Sequence, residues 1–228
     1  MKKIFFLYGL LAAISPLFSS NAQIHEWQNY QNKVLRHQKT LEGWCSITKA
    51  KSMMDLIYEV QPTLCVEIGV FGGSSIYPTA CALKFLQKGE VYAIDPWETS
   101  FCLEGYAPDD PNYVWWKQID LNEIYLGFLN MLDYFQLNSY CTVVRTTGLQ
   151  ALDLFQDESI DILHIDGNHT ENPALTDAKR YFPKVKQGGY IWLDDVNWST
   201  VSSAKEFLLS NAEKIESLST DEYFLFRK

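Results

Sequence analysis

The chain has 228 residues, of which 47% are hydrophobic, 21% charged and 14% aromatic. This composition is typical of a folded globular protein and excludes disorder, collagen-like repeats and a polytopic membrane protein. The formal net charge is −9, from 28 acidic and 19 basic residues. Because so acidic a protein repels phosphate backbones and anionic lipid headgroups, nucleic acids and membrane surfaces are poor partners. Small neutral or cationic ligands, or metal cations, suit it better.

The N-terminus has the organisation of a secretory signal peptide. Lys2 and Lys3 precede an apolar run over residues 4–18, and Ser20-Asn21-Ala22 offers a small-residue cleavage site. The apolar run of 15 residues is short for a bilayer-spanning helix, which needs about 20. We therefore predict a signal peptide over residues 1–22, export to the periplasm or out of the cell, and no membrane span after cleavage. An uncleaved anchor formed by residues 4–18 is the alternative.

From residue 64 onward, short β-like runs alternate with helical stretches. The predicted strands are Leu64–Gly69, Glu90–Asp95, Cys141–Arg145, Ile160–Asp166, Tyr190–Asp194, Lys214–Leu218 and Tyr223–Phe226. The predicted helices between them are Ser74–Leu86, Leu121–Leu137, Gly148–Phe155, Asn172–Phe182 and Thr200–Leu209. This alternation predicts an α/β fold of the Rossmann-like, doubly wound type, with a mostly parallel sheet.

Two further features complete the predicted organisation. The last two strands are joined by the short turn Ser219–Glu222, so one of them must run antiparallel at the C-terminal end. Residues 23–60 are predicted to form a helical extension packed on a ligand-binding domain over residues 61–228. The five cysteines are an odd number without CxxC spacing, which indicates neither a zinc site nor a regular disulfide framework.

Polar residues stand at the carboxyl end of every predicted core strand. In an open α/β sheet, ligands bind outside this edge. A strand that only had to stay buried would not need an acid at its tip. In chain order these residues are Glu67 and Gly69, Asp95, Thr146 and Thr147, Asp166, and Asp194 with Asp195.

The turn after the first strand is rich in glycine and follows a carboxylate. Glycines at 69, 72 and 73 let the backbone turn tightly and let a ligand approach the chain, but their spacing differs from the GxGxxG of dinucleotide-binding enzymes. Glu67 would repel a pyrophosphate and attract an ammonium group. Asp95 ends the next strand, where an acid commonly takes ribose hydroxyls. Together these features favour an adenosine-containing ligand that carries an amino acid.

The motif Glu67-x-Gly69-x-x-x-Gly73-x-Ser75, with Asp95 following, resembles the cofactor site of class I S-adenosylmethionine-dependent methyltransferases. The similarity extends over most of the chain. Residues 43–50, 66–75, 93–97 and 160–196 are similar to a metal-linked O-methyltransferase subgroup that includes antibiotic-sugar O-methyltransferases and cephalosporin-hydroxylase-like proteins.

The resemblance implies a role for each residue on the donor side, that is, the side expected to bind the methyl donor S-adenosylmethionine. Glu67 and Ser75 would hold the methionine portion of S-adenosylmethionine, and Asp95 the ribose. The adenine would lie by Thr146 and Thr147. The turn itself would be lined by Gly69, Phe71 and Gly73.

Asp166 and the pair Asp194-Asp195 place three carboxylates at adjacent strand ends. Such oxygen ligands suit Mg²⁺, Ca²⁺ or Mn²⁺ rather than zinc. Both members of the pair can ligate only if the chain leaves the strand at Asp194, because neighbouring strand residues face opposite ways. By the resemblance, these three residues bind a divalent cation, which we expect to be Mg²⁺, and His169 is the general base. His164 is interpreted as a packed or hydrogen-bonded core histidine.

The sequence therefore predicts an S-adenosylmethionine-dependent, divalent-metal-assisted O-methyltransferase that acts on a hydroxyl of a small molecule. The aromatic connection from Trp97 to Asp120 is either core or a cover over the acceptor. A hydroxylase-type enzyme on the same scaffold and an exported, non-catalytic binding protein are the alternatives. The sequence leaves open which molecule accepts the methyl group and whether the chain forms a homo-oligomer.

Overall fold

A computed structural model describes residues 21–228 of the chain. The strands are β1 Leu64–Ile68, β2 Glu90–Ile94, β3 Cys141–Val144, β4 Ile160–Ile165, β5 Val185–Leu193, β6 Glu213–Lys214 and β7 Phe224–Arg227. The helices are α1 Asn21–Gln38, α2 Ile47–Val60, α3 Ile76–Leu86, α4 Thr99–Cys102, α5 Pro111–Trp116, α6 Leu121–Tyr134, α7 Gly148–Ala151, α8 Glu171–Tyr181 and α9 Ser202–Asn211.

The strands form a mixed sheet in the order β3-β2-β1-β4-β5-β7-β6. The first five strands are parallel, and β7 runs antiparallel to β5. The predicted Rossmann-like fold, with an antiparallel strand at the C-terminal end, is confirmed. Strand β7 is the antiparallel one because the chain reverses in a short connection after β6.

The two faces of the sheet are covered by different helices. Side chains alternate along β1, so that Cys65 packs with α1, α2, α3 and α6, whereas Val66 packs with α7, α8 and α9. The central strands are therefore buried on both faces, which leaves their ends as the places where polar side chains can reach a ligand.

Two predicted elements need correction. The fifth strand begins at Val185 rather than Tyr190, because the glycines at 188 and 189 form an irregularity within the strand instead of a turn before it. In place of the predicted strand Lys214–Leu218, the chain has the two-residue strand β6, followed by a 3₁₀ turn over Glu216–Leu218. There, the Ser219 hydroxyl donates to the Ile215 carbonyl and accepts from the Leu225 N–H, which takes the place of strand pairing.

Helices α1 and α2 pack on α3 and on each other. Trp27 of α1 stacks on Tyr58 of α2, with ring centroids 4.5 Å apart. The predicted signal peptide lies outside the described residues except for Asn21 and Ala22, the first two residues of α1. None of the helices between residues 21 and 228 has both the length and the apolar character needed to cross a bilayer. The cysteines at 45, 65, 81, 102 and 141 are all free thiols.

Candidate active site

The carboxyl ends of the central strands meet at one edge of the sheet. Strands β1, β4 and β5 are adjacent and parallel, and Gly69, Asp166 and Asp194 follow them. Gly69 has a φ of +86°, and a Cβ on it would lie 2.0 Å from the Asp166 carbonyl oxygen. The turn after β1 and the acidic loop after β4 are therefore in direct backbone contact, and only glycine fits at position 69.

A buried histidine links two carboxylates just inside this edge. Glu67 on β1 is in register with His164 on β4. The His164 Nδ1 lies 2.9 Å from Glu67 Oε2, and its Nε2 lies 2.7 Å from Asp194 Oδ2. A neutral imidazole has only one donor, so two flanking carboxylates favour the protonated ring. Burial and the charge of Lys49 oppose protonation, but the carboxylates prevail and raise the pKa of His164 to about 9.

Lys49 adds an ammonium group to the same cluster. It lies in the first turn of α2, whose N-cap residue Ser46 accepts the backbone N–H of Lys49. Its Nζ contacts Asp194 Oδ2 and lies 3.6 Å from Asp166 Oδ2. Burial lowers the pKa of Lys49, but Asp194 and Asp166 outweigh burial and leave it above its ordinary value. Burial also raises the pKa of Asp194, but Lys49 and His164 lower it by more, so that it falls below its ordinary value. Lys49 and Asp194 are therefore both charged.

His169 and Asp195 form the more exposed part of the cluster. The His169 Nε2 lies 3.1 Å from Asp195 Oδ2 and 3.4 Å from Asp166 Oδ1. Trp198 packs edge-on against the His169 ring at 5.3 Å. Burial lowers the pKa of His169, but the neighbouring carboxylates outweigh burial and raise it above the ordinary value.

Asp194 and Asp195 are adjacent in sequence but face different groups. Strand β5 ends at Leu193, as the predicted site required. Asp195 then has a φ of +53°, in the left-handed region where the chain changes direction. As a result, Asp194 joins the buried part of the cluster and Asp195 the exposed part.

Asp166 belongs to two sets of side chains that could hold a metal ion. The ligand atoms of the inner set, His164, Asp166 and Asp194, lie within 4.8 Å of one another, as do those of the outer set, Asp166, His169 and Asp195. Burial and the charge of Asp194 raise the pKa of Asp166 to about 6, against the opposing effect of Lys49. The three predicted metal ligands are thus distributed over both sets. Two carboxylates and an imidazole in the outer set suit a divalent cation such as Mg²⁺ or Mn²⁺.

Asp95 shapes the turn after β1. Its Oδ2 accepts the backbone N–H groups of Val70 and Phe71 at 2.9 and 3.0 Å, and its Oδ1 accepts that of Trp97 at 2.7 Å. Burial raises the pKa of Asp95 despite these three bonds. The predicted ribose ligand is therefore also the residue that holds the turn in place.

The remaining donor-side residues lie around this turn. The Ser75 hydroxyl donates to Glu67 Oε1 at 2.5 Å, and the Glu67 side chain is only 2% exposed. Gly73 has a φ of +83°, and a Cβ on it would lie 2.5 Å from the Phe128 ring. Glu67 and Ser75, predicted to hold the methionine portion, are thus hydrogen-bonded to each other.

Thr146 and Thr147 follow β3 on the far side of the turn. Thr147 is the N-cap of α7 and forms a capping box with Gln150. The Thr146 hydroxyl donates to the same Gln150 side chain at 2.5 Å. The start of a helix therefore fixes the positions of both threonines, which are predicted to lie by the adenine.

The connection from Trp97 to Asp120 folds over the acidic loop. The Asn168 side chain donates to the carbonyls of Phe101 and Glu104 at 3.0 and 2.9 Å. The Thr170 hydroxyl donates to the Glu104 carbonyl at 3.0 Å. These bonds tie α4 and the residues after it to the loop that carries Asp166 and His169.

The same connection also contacts the glycine-rich turn after β1, which we call the donor turn, through aromatic rings. Trp115 lies 6.2 Å from Phe71 and 5.4 Å from Trp44, measured between ring centroids. Trp97 is buried in the core, whereas Trp44 is 70% exposed and Trp115 is 37% exposed. The connection is therefore part core and part surface, and it spans both sides of the candidate site.

Residues 66–196 match the sequence model of a family described as a methyltransferase domain. The matched segment is more than half of the chain. The chain belongs to this methyltransferase family. The assignment confirms the predicted enzyme class and the resemblance to S-adenosylmethionine-dependent methyltransferases.

Solved methyltransferase structures share the fold at low sequence identity. The O-methyltransferase NovP is 17% identical, with 80% of each chain covered and a TM-score of 0.63. The O-methyltransferase TomG from Streptomyces achromogenes, in complex with SAM, is 15% identical, with 87% of this chain and 88% of that chain covered and a TM-score of 0.59. The SAH-bound methyltransferase PaMTH1 from Podospora anserina is 11% identical, with 95% and 99% covered and a TM-score of 0.61.

A curated relative is an uncharacterized protein, y4gI, of Sinorhizobium fredii. It is 25% identical over 146 residues, which are 62% of this chain and 14% of that protein. The methyltransferase chain thus spans about one seventh of the length of this relative.

Within the candidate site, Lys49 is the residue that the sequence pattern did not single out for a chemical role. It occupies the buried face of α2 at helical spacing with Met53 and Leu56. A lysine in an otherwise apolar stripe is a signal of a buried ion pair, because lysine is almost never fully buried without a partner. His164, interpreted as a core histidine, is indeed buried, but it also bridges Glu67 and Asp194.

Proposed function

We propose that this methyltransferase transfers the methyl group of S-adenosylmethionine to a hydroxyl of a small molecule, with the help of a divalent cation such as Mg²⁺. The observation that carries the proposal is the backbone contact between Gly69 and Asp166, because it brings the donor turn against the carboxylate cluster. The fold neighbours NovP and TomG are O-methyltransferases, and TomG and PaMTH1 were solved with SAM and SAH. These likenesses support the same donor and the same kind of acceptor atom here.

On the donor side, Asp95 would accept the ribose hydroxyls. Its Oδ1 makes one hydrogen bond, to the Trp97 N–H, and a carboxylate oxygen can accept a second. Glu67 and Ser75 would face the methionine portion, and Thr146 and Thr147 the adenine. The turn between Gly69 and Gly73, with Phe71, would line the cofactor.

On the acceptor side, Asp166 and Asp195 would hold the cation, with Asp194 as the third predicted ligand. When bound, a divalent cation supplies positive charge that lowers the pKa of a nearby hydroxyl. The role of His169 would be to accept the hydroxyl proton, and Asp166 and Asp195, whose oxygens lie 3.4 and 3.1 Å from its Nε2, would stabilise the protonated ring. When bound, S-adenosylmethionine would supply the methyl group, which would join the acceptor oxygen as its bond to sulfur breaks and S-adenosylhomocysteine leaves, and the protein would contribute mainly positioning.

Labelled S-adenosylmethionine tests the proposal. The full-length chain would be incubated with the donor and a panel of small catechols, diols and sugars, with added Mg²⁺ or with a chelator. We expect labelled methyl ether and S-adenosylhomocysteine with Mg²⁺, and little product with the chelator. Full activity in the chelator would refute the metal-assisted mechanism, and donor binding without transfer to any acceptor would favour a binding protein.

His169→Ala tests the proton acceptor. We expect turnover at pH 7 to fall by about 10²–10⁴, the usual contribution of a positioned general base, with donor affinity unchanged. Part of the loss should be recovered at higher pH, where the hydroxyl ionises unaided. A variant that loses Mn²⁺ affinity instead would show that His169 is a metal ligand, and normal turnover at pH 7 would exclude both roles.

A further inference from the structure

We propose that Lys49 is a built-in cation of the inner set, so that a divalent cation binds to Asp166 and Asp195 of the outer set and Asp194 is not one of its ligands. This inference rests on the proposed metal-assisted function and specifies which carboxylates hold the ion. It removes Asp194, the carboxylate that Lys49 contacts, from the predicted ligand group.

In the inner set, a carboxylate already has cationic or imidazole partners from the protein itself. Lys49 contacts Asp194, and His164 lies between Glu67 and Asp194. Asp194 Oδ2 is contacted by both Lys49 Nζ and His164 Nε2, so this oxygen already has two partners. A further double charge at this place would meet an ammonium group in a medium of low dielectric constant, where like charges repel strongly.

The outer carboxylates, in contrast, have no lysine or arginine in hydrogen-bond contact among the described residues, since Lys49 Nζ lies 3.6 Å from Asp166 Oδ2. Asp166 Oδ1 and Asp195 Oδ2 both face His169 Nε2. No lysine or arginine forms an ion pair with Asp195 among the described residues. Two carboxylates with one imidazole leave net negative charge, which a divalent cation would neutralise.

Accessibility favours the outer set as well. The side chains of Lys49, His164 and Asp194 are 5%, 4% and 9% exposed, whereas those of His169 and Asp195 are 24% and 30% exposed. An ion that must also meet an acceptor hydroxyl has to be reachable from solvent. Only the outer set meets this condition.

The placement of Lys49 is held by the start of α2. Cys45, just before the N-cap, donates its N–H to Ser74 Oγ at 3.2 Å and accepts from Gln38 Nε2 at 2.5 Å. Met53 and Leu56 on the same helix face are buried. Withdrawal of Lys49 from Asp194 would therefore leave a buried ammonium group without its nearest carboxylate, which is unfavourable.

Calorimetric titration of the full-length chain with Mn²⁺ separates the two arrangements. The key variant is Lys49→Met/Asp194→Leu, which removes both charges of the inner pair together, avoids an unpaired buried ion and leaves no oxygen ligand at position 194. We expect it to bind one Mn²⁺ with an affinity within about tenfold of wild type. Asp195→Ala, at the exposed position, should lower the affinity by at least about 10–100-fold, the usual cost of losing even an outer-shell partner of a metal ligand.

A matched pair on the same helix provides the control. Lys51 and Asp55 form an exposed ion pair on α2, and Lys51→Met/Asp55→Asn should leave Mn²⁺ affinity unchanged. The single variant Lys49→Met, if folded by circular dichroism, should bind Mn²⁺ about tenfold more tightly or bind a second ion, because the repelling ammonium group is gone.

The outcomes distinguish this inference from the proposed function. If the Lys49→Met/Asp194→Leu variant loses as much affinity as Asp195→Ala, then Asp194 is a ligand and the inference is wrong, while the metal-assisted function stands. If wild-type protein binds no Mn²⁺ with or without S-adenosylmethionine, the metal-assisted function itself fails and this inference fails with it.

Discussion

At the scale of single residues, Asp95 combines a structural and a binding role. It accepts three backbone N–H groups of the donor turn and is the proposed ribose ligand. We expect Asp95→Ala to weaken S-adenosylmethionine binding by roughly 1.5–3 kcal/mol, as for the loss of hydrogen bonds to a charged group. Titration calorimetry measures the affinity, and an unchanged value would remove Asp95 from the cofactor site.

Asp177 is a second residue whose environment has a measurable consequence. Its carboxylate oxygens face Gly148 and Gly167, and burial raises its pKa to about 7. Tyr181 is the titratable neighbour on the same helix. Because the folded state keeps a proton that the unfolded state has lost, Asp177 makes the protein less stable as the pH rises from about 4 to about 7.

We therefore expect Asp177→Asn to stabilise the protein at pH 8 relative to wild type by roughly 1–3 kcal/mol, because the amide stays neutral where the buried carboxyl must ionise and a difference of one pKa unit corresponds to about 1.4 kcal/mol, and by much less at pH 4. Urea unfolding at the two pH values measures the difference. A stability difference that is equal at both values would show that Asp177 is not protonated in the folded state.

At the scale of secondary structure elements, the start of α2 determines where Lys49 lies. Ser46 caps the helix by accepting the Lys49 N–H at 3.2 Å. We expect Ser46→Ala to lower the free energy of unfolding by about 1 kcal/mol, which corresponds to roughly 2–4 °C in a chain of this size. Thermal unfolding followed by circular dichroism measures it. Ser210→Ala, an exposed serine on α9, is the control, and an equal effect there would count against the cap.

The elements also show where sequence patterns are sufficient. The apolar runs of β1, β2, β3 and β4 predicted those strands to within one residue at each end, because strands buried on both faces have continuous apolar sequences. Two other patterns led to wrong predictions. The glycines at 188 and 189 predicted a turn, but a glycine can also lie in a bulge. The residues after Lys214 predicted a longer strand, but Ser219 replaces strand pairing there with side-chain hydrogen bonds.

At the scale of the whole molecule, the predicted signal peptide has a direct test. The positive residues, the short apolar run and the small residues before Gln23 lead us to expect a mature chain that begins at or near Gln23. Intact-mass spectrometry of protein from native membrane and soluble fractions measures this. Protein that retains residues 1–22 in the membrane fraction would instead support an anchor formed by residues 4–18.

The sequence by itself determined the class of the protein. The alternation of strands and helices predicted the doubly wound sheet, and the resemblance of the glycine turn, with Glu67 and Asp95, to a known cofactor site implied a methyltransferase. The strand pattern also predicted that Asp166, Asp194 and Asp195 lie at one edge of the sheet. The sheet and its polar edge follow from local patterns and from the rule that parallel strands end at a common edge.

Only the tertiary structure decided how that edge is divided. Lys49 comes from a helix more than a hundred residues before Asp194 in the chain, so no local spacing relates the two. The left-handed backbone at Asp195 sends two neighbouring carboxylates to different partners, and sequence patterns do not specify such a φ for an aspartate. Which charges neutralise each other depends on distances of a few ångströms across the packed core, and those distances exist only after the chain has folded.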